Sequence, residues 1–399
     1  MITYDHIIIG VGSMGSAACY HLARRGKSVL GLEQFTIPHE LGSHAGETRI
    51  IRKAYFEHPD YIPLLIRAYE NWQELMERSG RQLFHKTGLF YAAPKGHELI
   101  RNIKKSAALY NIPLETNRPS AFALPADYES LFEPDAGFVE PENTIRTFVH
   151  HAIEFGAEIH EREQVLSWMV VSGDSGVSIS SELYSNSEGQ NVKAVSSEQS
   201  YVVVRTNMAE YRCKKLIITA GAWSAKMIPG IDKHLKVTRQ VLAWLKPAKP
   251  ERFTEEKFPC WLIATENSGG AYYGFPIIPS HPGGLKLAYH YPGEDTEADQ
   301  VNREVNAADT ENLRLFARQF FPQGCGEIES TKVCLYSNSP DENFVIDNLP
   351  GMEEHVCVAW GFSGHGFKFV PVVGEILADL AMYHKTELPI SFLSAKRPF

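Results

Sequence analysis

The N-terminal stretch limits the fold more than any other part of the chain. DHIIIGVGSMGSAACYHLARRGKSVLGLEQF, beginning at Asp5, reads as a short apolar strand, a glycine turn, a helix and a second strand, VLGLE. That order is a βαβ unit, two parallel strands joined by a crossover helix. Gly10, Gly12 and Gly15 form G-x-G-x-x-G directly after the first strand. The first glycine permits a tight turn, the second lets backbone approach a pyrophosphate, and the third allows close helix packing. The helix N-terminus then faces the phosphates. Glu33 ends the second strand, where an acid accepts from both ribose hydroxyls. The pattern predicts dinucleotide binding, leaves NAD and FAD both open, and has a glycine-rich turn of another α/β protein as its plain alternative.

At 399 residues the chain exceeds one ordinary core, so two domains are expected. Its 44% hydrophobic and 22% charged residues are those of a soluble globular protein whose core is large enough to enclose a cofactor. A net charge of −9 with no basic tract argues against nucleic acid and an anionic membrane surface as partners. The apolar run IIIG is too short to span a bilayer and lacks the basic flank and cleavage site of a signal peptide. AKRPF at the C-terminus is no known targeting signal, and a cytoplasmic location is expected. The six cysteines, Cys19, Cys213, Cys260, Cys325, Cys334 and Cys357, include no C-x-x-C pair and match neither a disulfide framework nor a zinc site. No metal is expected, and in a reducing compartment the thiols are free.

After the βαβ unit comes GSHAGETRIIRKAYFEHPDY, dense in charge, and then PLLIRAYENWQELMERSG, with helical periodicity and a closing glycine. Short strands such as LFHKTGLFYAAP follow. A βαβ element resumes near 139–159, and KKLIITAGAWSAKMI is again strand, turn and helix. The Ser-, Gly- and Asn-rich stretch 172–199 reads as a surface excursion. From 237 to 336 short alternating strands predict an antiparallel sheet, and the end returns to strand, glycine loop and helix. The expected class is α/β (α+β overall). Segments 1–85, 148–226 and 338–399 are assigned to a Rossmann-like domain, and 86–147 and 227–337 to a substrate domain with a mainly antiparallel sheet.

Several stretches carry candidate chemistry. Gly361, Gly364 and Gly366 in VCVAWGFSGHGFKF precede an apolar helix, whose first N–H groups stabilise negative charge; Lys368 in this turn suits a substrate carboxylate or a plain surface position. Arg49 and Arg52 flank two isoleucines after His44, a setting for gripping a carboxylate or for structural salt bridges. In GGLKLAYH, Leu285 and Leu287 face one way and Lys286 the other, with His290 on the side of Lys286. That side is either the wet face of a sheet or a cavity in which a desolvated lysine favours a nearby anion. Tyr273 and Tyr336 are pocket walls or ordinary aromatic core, and Cys334, in STKVCLYSNSPDENFVID, reads by itself as a small buried hydrophobe.

Taken in order, IIGVGSMGSAA, GSHAGETRIIR, KTGLF, ITAGAW, YYGFP, GLKLAYH, VCLYSNSPDENFVID and GFSGHGFKF resemble the monomeric sarcosine oxidase and N-methyltryptophan oxidase family, to which pipecolate oxidase is similar. The likeness spans nearly the whole chain. It implies FAD held through its ADP half by Gly10, Gly12, Gly15 and Glu33, with His44, Gly364, Gly366 and Lys368 also at the cofactor and Cys334 joined covalently to the flavin 8α-methyl group. It implies Arg52 and Lys368 as the pair that binds a substrate carboxylate. By the same likeness Lys286 assists oxygen reduction, Arg49 is a second cation near the ring, and Tyr273, His290 and Tyr336 border the substrate. Family members often carry two adjacent histidines where this chain has His44 and Ala45, which removes a polar ring near the flavin and alters pocket volume.

The implied reaction is oxidation of the C–N bond of sarcosine or another N-methyl amino acid with O2, giving an imine that hydrolyses, and hydrogen peroxide. The implied enzyme is a monomer whose partners are a small secondary amine and oxygen. Oxidation of cyclic imino acids (pipecolate or proline-like) or fructosyl amino acids, or a same-fold flavin dehydrogenase with another electron acceptor, are the neighbouring alternatives. A NAD-dependent or non-catalytic nucleotide-binding protein satisfies the glycines and Glu33, but not GFSGHGF and Cys334.

Overall fold

Strands β1 (Thr3–Ile9) and β2 (Val29–Leu32) run parallel, with Ile7 opposite Leu30 and Ile9 opposite Leu32, and helix α1 (Ser13–Arg24) joins them. This computed structural model describes residues 2–116, 119–171, 178–180, 200–266, 270–278, 284–290 and 293–399. The apolar run of β1 is buried on both faces, as a central parallel strand requires. Its other neighbour is strand Glu210–Ile218, also parallel, and beyond β2 lies Glu158–His160. Strand Val356–Trp360 pairs parallel with the end of Glu210–Ile218 and antiparallel with Val345–Asn348. Strands Val165–Val171 and Tyr201–Thr206 extend the sheet in antiparallel register. The Ser-rich stretch 172–199 lies outside the described residues apart from strand Ser178–Ser180, which pairs with Val165–Val171. Helix Val370–Tyr383 packs on α1 so closely that a Cβ on Gly374 would stand 2.5 Å from that of Ala17.

These strands belong to one compact unit, Met1–Ala45, Glu142–Val237 and Tyr336–Phe399; the other is Gly46–Pro141 and Thr238–Leu335. The boundaries differ from those expected at 85, 148, 226 and 338. Residues 46–85 cluster in the second unit because strands Arg49–Ile51 and Phe84–His85 both pair with Gly137–Val139. The βαβ element expected near 139–159 is split for the same reason. Its first strand lies in that small sheet, while helix Pro141–Glu154 leads to a strand paired with β2.

The large sheet of the second unit is mainly antiparallel. Its order is Glu294–Asp295, Lys236–Lys246, Leu285–His290, Ala271–Gly274, Cys260–Ala264, Leu89–Pro94, Tyr128–Glu133, with Glu327–Asn338 also on Lys236–Lys246. Leu89–Pro94 runs parallel to Cys260–Ala264. The period-two rule sorts each strand between two cores. Leu89, Tyr91 and Ala93 join one cluster, which also holds Trp244, Tyr273, Ala288 and Cys334. Phe90, Ala92, Leu285 and Leu287 join the other, with Trp261, Phe316 and Phe321. Among the described residues no helix is long and apolar enough to cross a membrane.

Two histidines of the first unit are buried as neutral rings. Among the described residues, Nδ1 of His6 in β1 and Nε2 of His21 in α1 have no hydrogen-bond partner. Burial lowers both from the usual 6.5 to about 4. The unfolded chain therefore binds these protons first as pH falls, so stability present above pH 6.5 is lost progressively toward pH 4. The loss reaches about 2 kcal/mol per histidine by pH 5. Melting temperature measured from pH 7 to pH 5 should fall, and His6→Gln should flatten the fall. An equal slope in parent and variant would mean the ring is not held neutral.

Candidate active site

In the first unit, the turn between β1 and α1 leaves little freedom. Gly10 has φ +87°, and a Cβ there would stand 2.7 Å from the Thr219 carbonyl oxygen. A Cβ on Gly15 would lie 1.9 Å from the Gly10 oxygen and 2.7 Å from Thr219 Oγ1. The helix seats on its turn only because residue 15 is glycine. Gly12 is different: its φ is −76°, and the nearest atom to an added Cβ is His44 Nδ1 at 3.8 Å. The fold itself has room for a side chain there, and only a ligand approaching the turn needs the position bare. The first turn of α1 holds no acidic residue and no side-chain cap, which leaves it positive. Glu33 is buried at the end of β2; Oε2 accepts from the Val11 N–H at 3.0 Å and Oε1 from the Phe35 N–H at 3.1 Å. Burial pushes its pKa up, against the pull of those N–H groups.

The glycine loop at 361–366 is also in the first unit. Gly361, Ser363 and Gly364 have φ of +68°, +45° and +73°. A Cβ on Gly364 would meet the Tyr336 ring at 2.3 Å, and one on Gly366 would meet Phe362 at 2.6 Å. The loop is fixed by the Ser363 N–H donating to the Ser337 oxygen at 2.9 Å and the Ser339 N–H donating to Ser363 Oγ at 3.2 Å. Lys368 is buried, and its Nζ donates to the His365 carbonyl at 2.6 Å. Tyr336, Gly364, Gly366 and Lys368 thus form one group, and Gly10, Gly12, Gly15, Glu33 and His44 another.

The second unit gathers Lys286, Arg49 and Cys334. Lys286 is 2% exposed; its Nζ donates to the Gly46 carbonyl, to the Thr48 carbonyl at 2.9 Å and to Thr48 Oγ1 at 3.1 Å, above the Phe275 ring at 4.6 Å. Arg49 Nη1 donates to the same Thr48 carbonyl at 2.8 Å, and Nη2 reaches Cys334 Sγ at 3.3 Å. Burial pushes the thiols of Cys19 and Cys260 up to about 12 and that of Cys357 up to about 11, so these are inert core residues. Tyr273 lies edge-on to His290, with ring centroids 6.2 Å apart.

Arg52 sits elsewhere in this unit. Its Nη2 makes a two-pronged pair with Glu57 at 2.5 and 2.8 Å, its Nη1 donates to the Ala54 carbonyl, and its guanidinium stacks on Tyr55 and Phe56. Burial alone would lower its pKa, but Glu57, Tyr91 and Tyr55 outweigh it and the net shift is upward. Glu57, Thr48 and the serines at 337, 339 and 363 were not legible as site residues. Glu57 sits in an aperiodic loop, and the others act through backbone or hydroxyl bonds that leave no pattern in sequence.

The DAO family, FAD dependent oxidoreductase, matches this chain across residues 5–380. The chain belongs to that family. Monomeric sarcosine oxidase of Bacillus sp. (strain NS-129) is 35% identical over 99% of this chain and 97% of its own length. N-methyl-L-tryptophan oxidase of Salmonella dublin is 34% identical over 95% of each. The fold is shared with the open form of NikD, an unusual amino acid oxidase essential for nikkomycin biosynthesis (TM-score 0.81, 22% identity, 99% of this chain and 98% of that one). This FAD-dependent oxidoreductase fits its cofactor where the fold can be tested: the bare, unobstructed Gly12 beside an uncapped helix start suits a pyrophosphate, and Glu33 suits a ribose.

The two glycines separate fold from ligand. Gly12→Ala in the FAD-dependent oxidoreductase should change stability by less than about 1 kcal/mol, yet weaken FAD at least about tenfold. Gly15→Ala should cost several kcal/mol of stability, since it meets backbone at 1.9 Å. Thermal melts and FAD titration of both variants, each made with Cys334→Ala so that FAD exchanges freely, check this; equal behaviour would contradict it.

Proposed function

We propose that this enzyme oxidises the C–N bond of a secondary amino acid, sarcosine or another N-methyl amino acid, with oxygen as the acceptor. The supporting observation is the pair formed by buried Lys286 and half-buried Arg49, which share the Thr48 carbonyl beside Cys334. Near-full-length similarity to sarcosine and N-methyltryptophan oxidases supports this substrate class. For an N-methyl substrate the overall change is amine plus O2 plus water to demethylated amine, formaldehyde and H2O2.

Bound flavin supplies the two-electron acceptor between amine and oxygen. The chain's own residues do the rest. Gly10, Gly12, Gly15 and Glu33 hold the ADP half, His44, Gly364, Gly366 and Lys368 complete the cofactor's surroundings, and Cys334 carries the cofactor through a covalent bond from its sulfur. Arg52 and Lys368 bind the substrate carboxylate; Arg52 does so by exchanging the Glu57 carboxylate for that of the substrate, which preserves its two-pronged ion pair. Tyr273, His290 and Tyr336 shape the space around the amine. No base is required, because an amine lone pair assists its own oxidation, and the site's contribution is orientation and charge stabilisation. Lys286 stabilises the negative charge that oxygen acquires with its first electron, and Arg49 adds a second positive charge. The enzyme works as a cytoplasmic monomer on a small-molecule amine.

The test is peroxide and formaldehyde release under air across N-methyl amino acids, pipecolate, proline and fructosyl amino acids. Turnover of N-methyl amino acids with one peroxide per formaldehyde is expected. Substrate oxidation without peroxide would identify a dehydrogenase and overturn the oxidase reading. Lys286→Met should slow reaction of the reduced enzyme with oxygen on the order of 100-fold, in the range of losing one preorganised charge donor. Stopped-flow reoxidation measures this, and an unchanged rate would remove Lys286 from oxygen chemistry.

A further inference from the structure

The segment between β2 and Gly46 places an imidazole beside Glu33 that the function above does not use. His39 is held at Nδ1 and faces Glu33 through Nε2. The Leu41 N–H donates to Nδ1 at 3.1 Å, so Nδ1 is an acceptor and the neutral ring carries its proton on Nε2. Nε2 lies 3.7 Å from Glu33 Oε1, so this N–H edge is turned toward the carboxylate. The distance is that of a charge–dipole contact, longer than a hydrogen bond. Ring packing fixes the imidazole in that attitude: it meets Phe35 edge-on at 4.8 Å and His44 edge-on at 4.9 Å, and Phe35 in turn meets Trp223 at 5.4 Å. The ladder Trp223, Phe35, His39, His44 ends where His44 Nδ1 approaches the bare side of Gly12. The Glu33 carboxylate is thus met by the Val11, Phe35 and Gln34 amides and, in addition, by this aromatic edge.

We propose that His39 is a positioning residue of the FAD cradle, its Nε2–H edge holding the Glu33 carboxylate in the orientation that receives the cofactor's ribose hydroxyls. This rests on the reading of Glu33 as the ribose acceptor. The Val11 and Phe35 amides come from the backbone on two sides and fix where the oxygens sit. His39 adds a donor on the side of Oε1 that a sugar hydroxyl would otherwise pull away. Its effect runs through Glu33 and not through a contact of its own with FAD.

Two isosteres divide the ring's two edges. Asparagine at 39 keeps an acceptor for the Leu41 amide and loses the edge facing Glu33; glutamine supplies an N–H near the position of Nε2. The experiment uses the full chain with Cys334→Ala, so that FAD exchanges freely, and measures FAD dissociation constants by equilibrium dialysis alongside melting of the FAD-free protein. His39→Asn should weaken FAD about tenfold, with the FAD-free melting temperature held. His39→Gln should stay within about threefold of the parent. Glu33→Gln should weaken FAD, and adding His39→Asn to it should weaken it no further, since both act on one contact. Parental affinity in His39→Asn, failure of His39→Gln to recover it, or losses that multiply in the double variant would each overturn the proposal. Unchanged affinity in Glu33→Gln would overturn the ribose reading itself, and the proposal with it.

Discussion

The carbonyl oxygen of Gly10 has almost no free space around it, and the first unit is arranged on that fact. Thr219 Oγ1 donates to it at 2.7 Å, and a Cβ on Gly15 would come within 1.9 Å of it. Strand β1, helix α1 and strand Glu210–Ile218 meet at this point, so the turn cannot shift without moving all three. The consequence is a helix start held open toward a ligand, with Gly12 as the position the fold itself leaves free. Glu33 is fixed to the same turn by the Val11 amide. A rigid turn with an acid at its side is what a dinucleotide requires.

The second unit is governed by a different constraint, the cost of burying charge. Lys286 and Arg52 are almost wholly inaccessible, and an uncompensated cation there would cost several kcal/mol. Lys286 is met by oxygens of Gly46 and Thr48, and Gly46 has φ +115°, where an L side chain would also strike Leu242 at 2.4 Å. Arg52 is met by Glu57, and the segment after it is pinned by the fully buried Glu133, which accepts from the Lys53 N–H at 2.6 Å and from the Tyr91 hydroxyl at 2.7 Å. Burial raises the pKa of Glu133, and the donors around it, with Arg52, pull the other way. In the proposed function both cations use their charge on something other than fold stability.

Much of this was readable from the chain alone. The βαβ unit was, because strand period, glycine spacing and a terminal acid are local and mutually consistent. The sorting of Leu285 and Leu287 away from Lys286 followed from alternation. The unit boundaries were less legible: residues 46–85 join the second unit through pairing with Gly137–Val139, a contact between segments far apart in sequence. Arg52 was singled out as a carboxylate grip or a salt-bridge partner, but Glu57, which it meets, lies in a loop with no period to betray it. The sharing of Thr48 by Lys286 and Arg49 rests on backbone carbonyls, which every residue has. His39 escaped for a related reason, since only its hydrogen bond to Leu41 reveals which edge faces Glu33.

The central claim is that this is a flavoenzyme whose cofactor is tied to Cys334, the cysteine beside Arg49. The direct measurement is the visible spectrum of the purified protein before and after acid precipitation, for the parent and for Cys334→Ala. The account predicts yellow that stays with the parent pellet and passes to the supernatant in the variant. Yellow released from the parent would contradict the role of Cys334, and a colourless protein that binds no flavin would contradict the account as a whole.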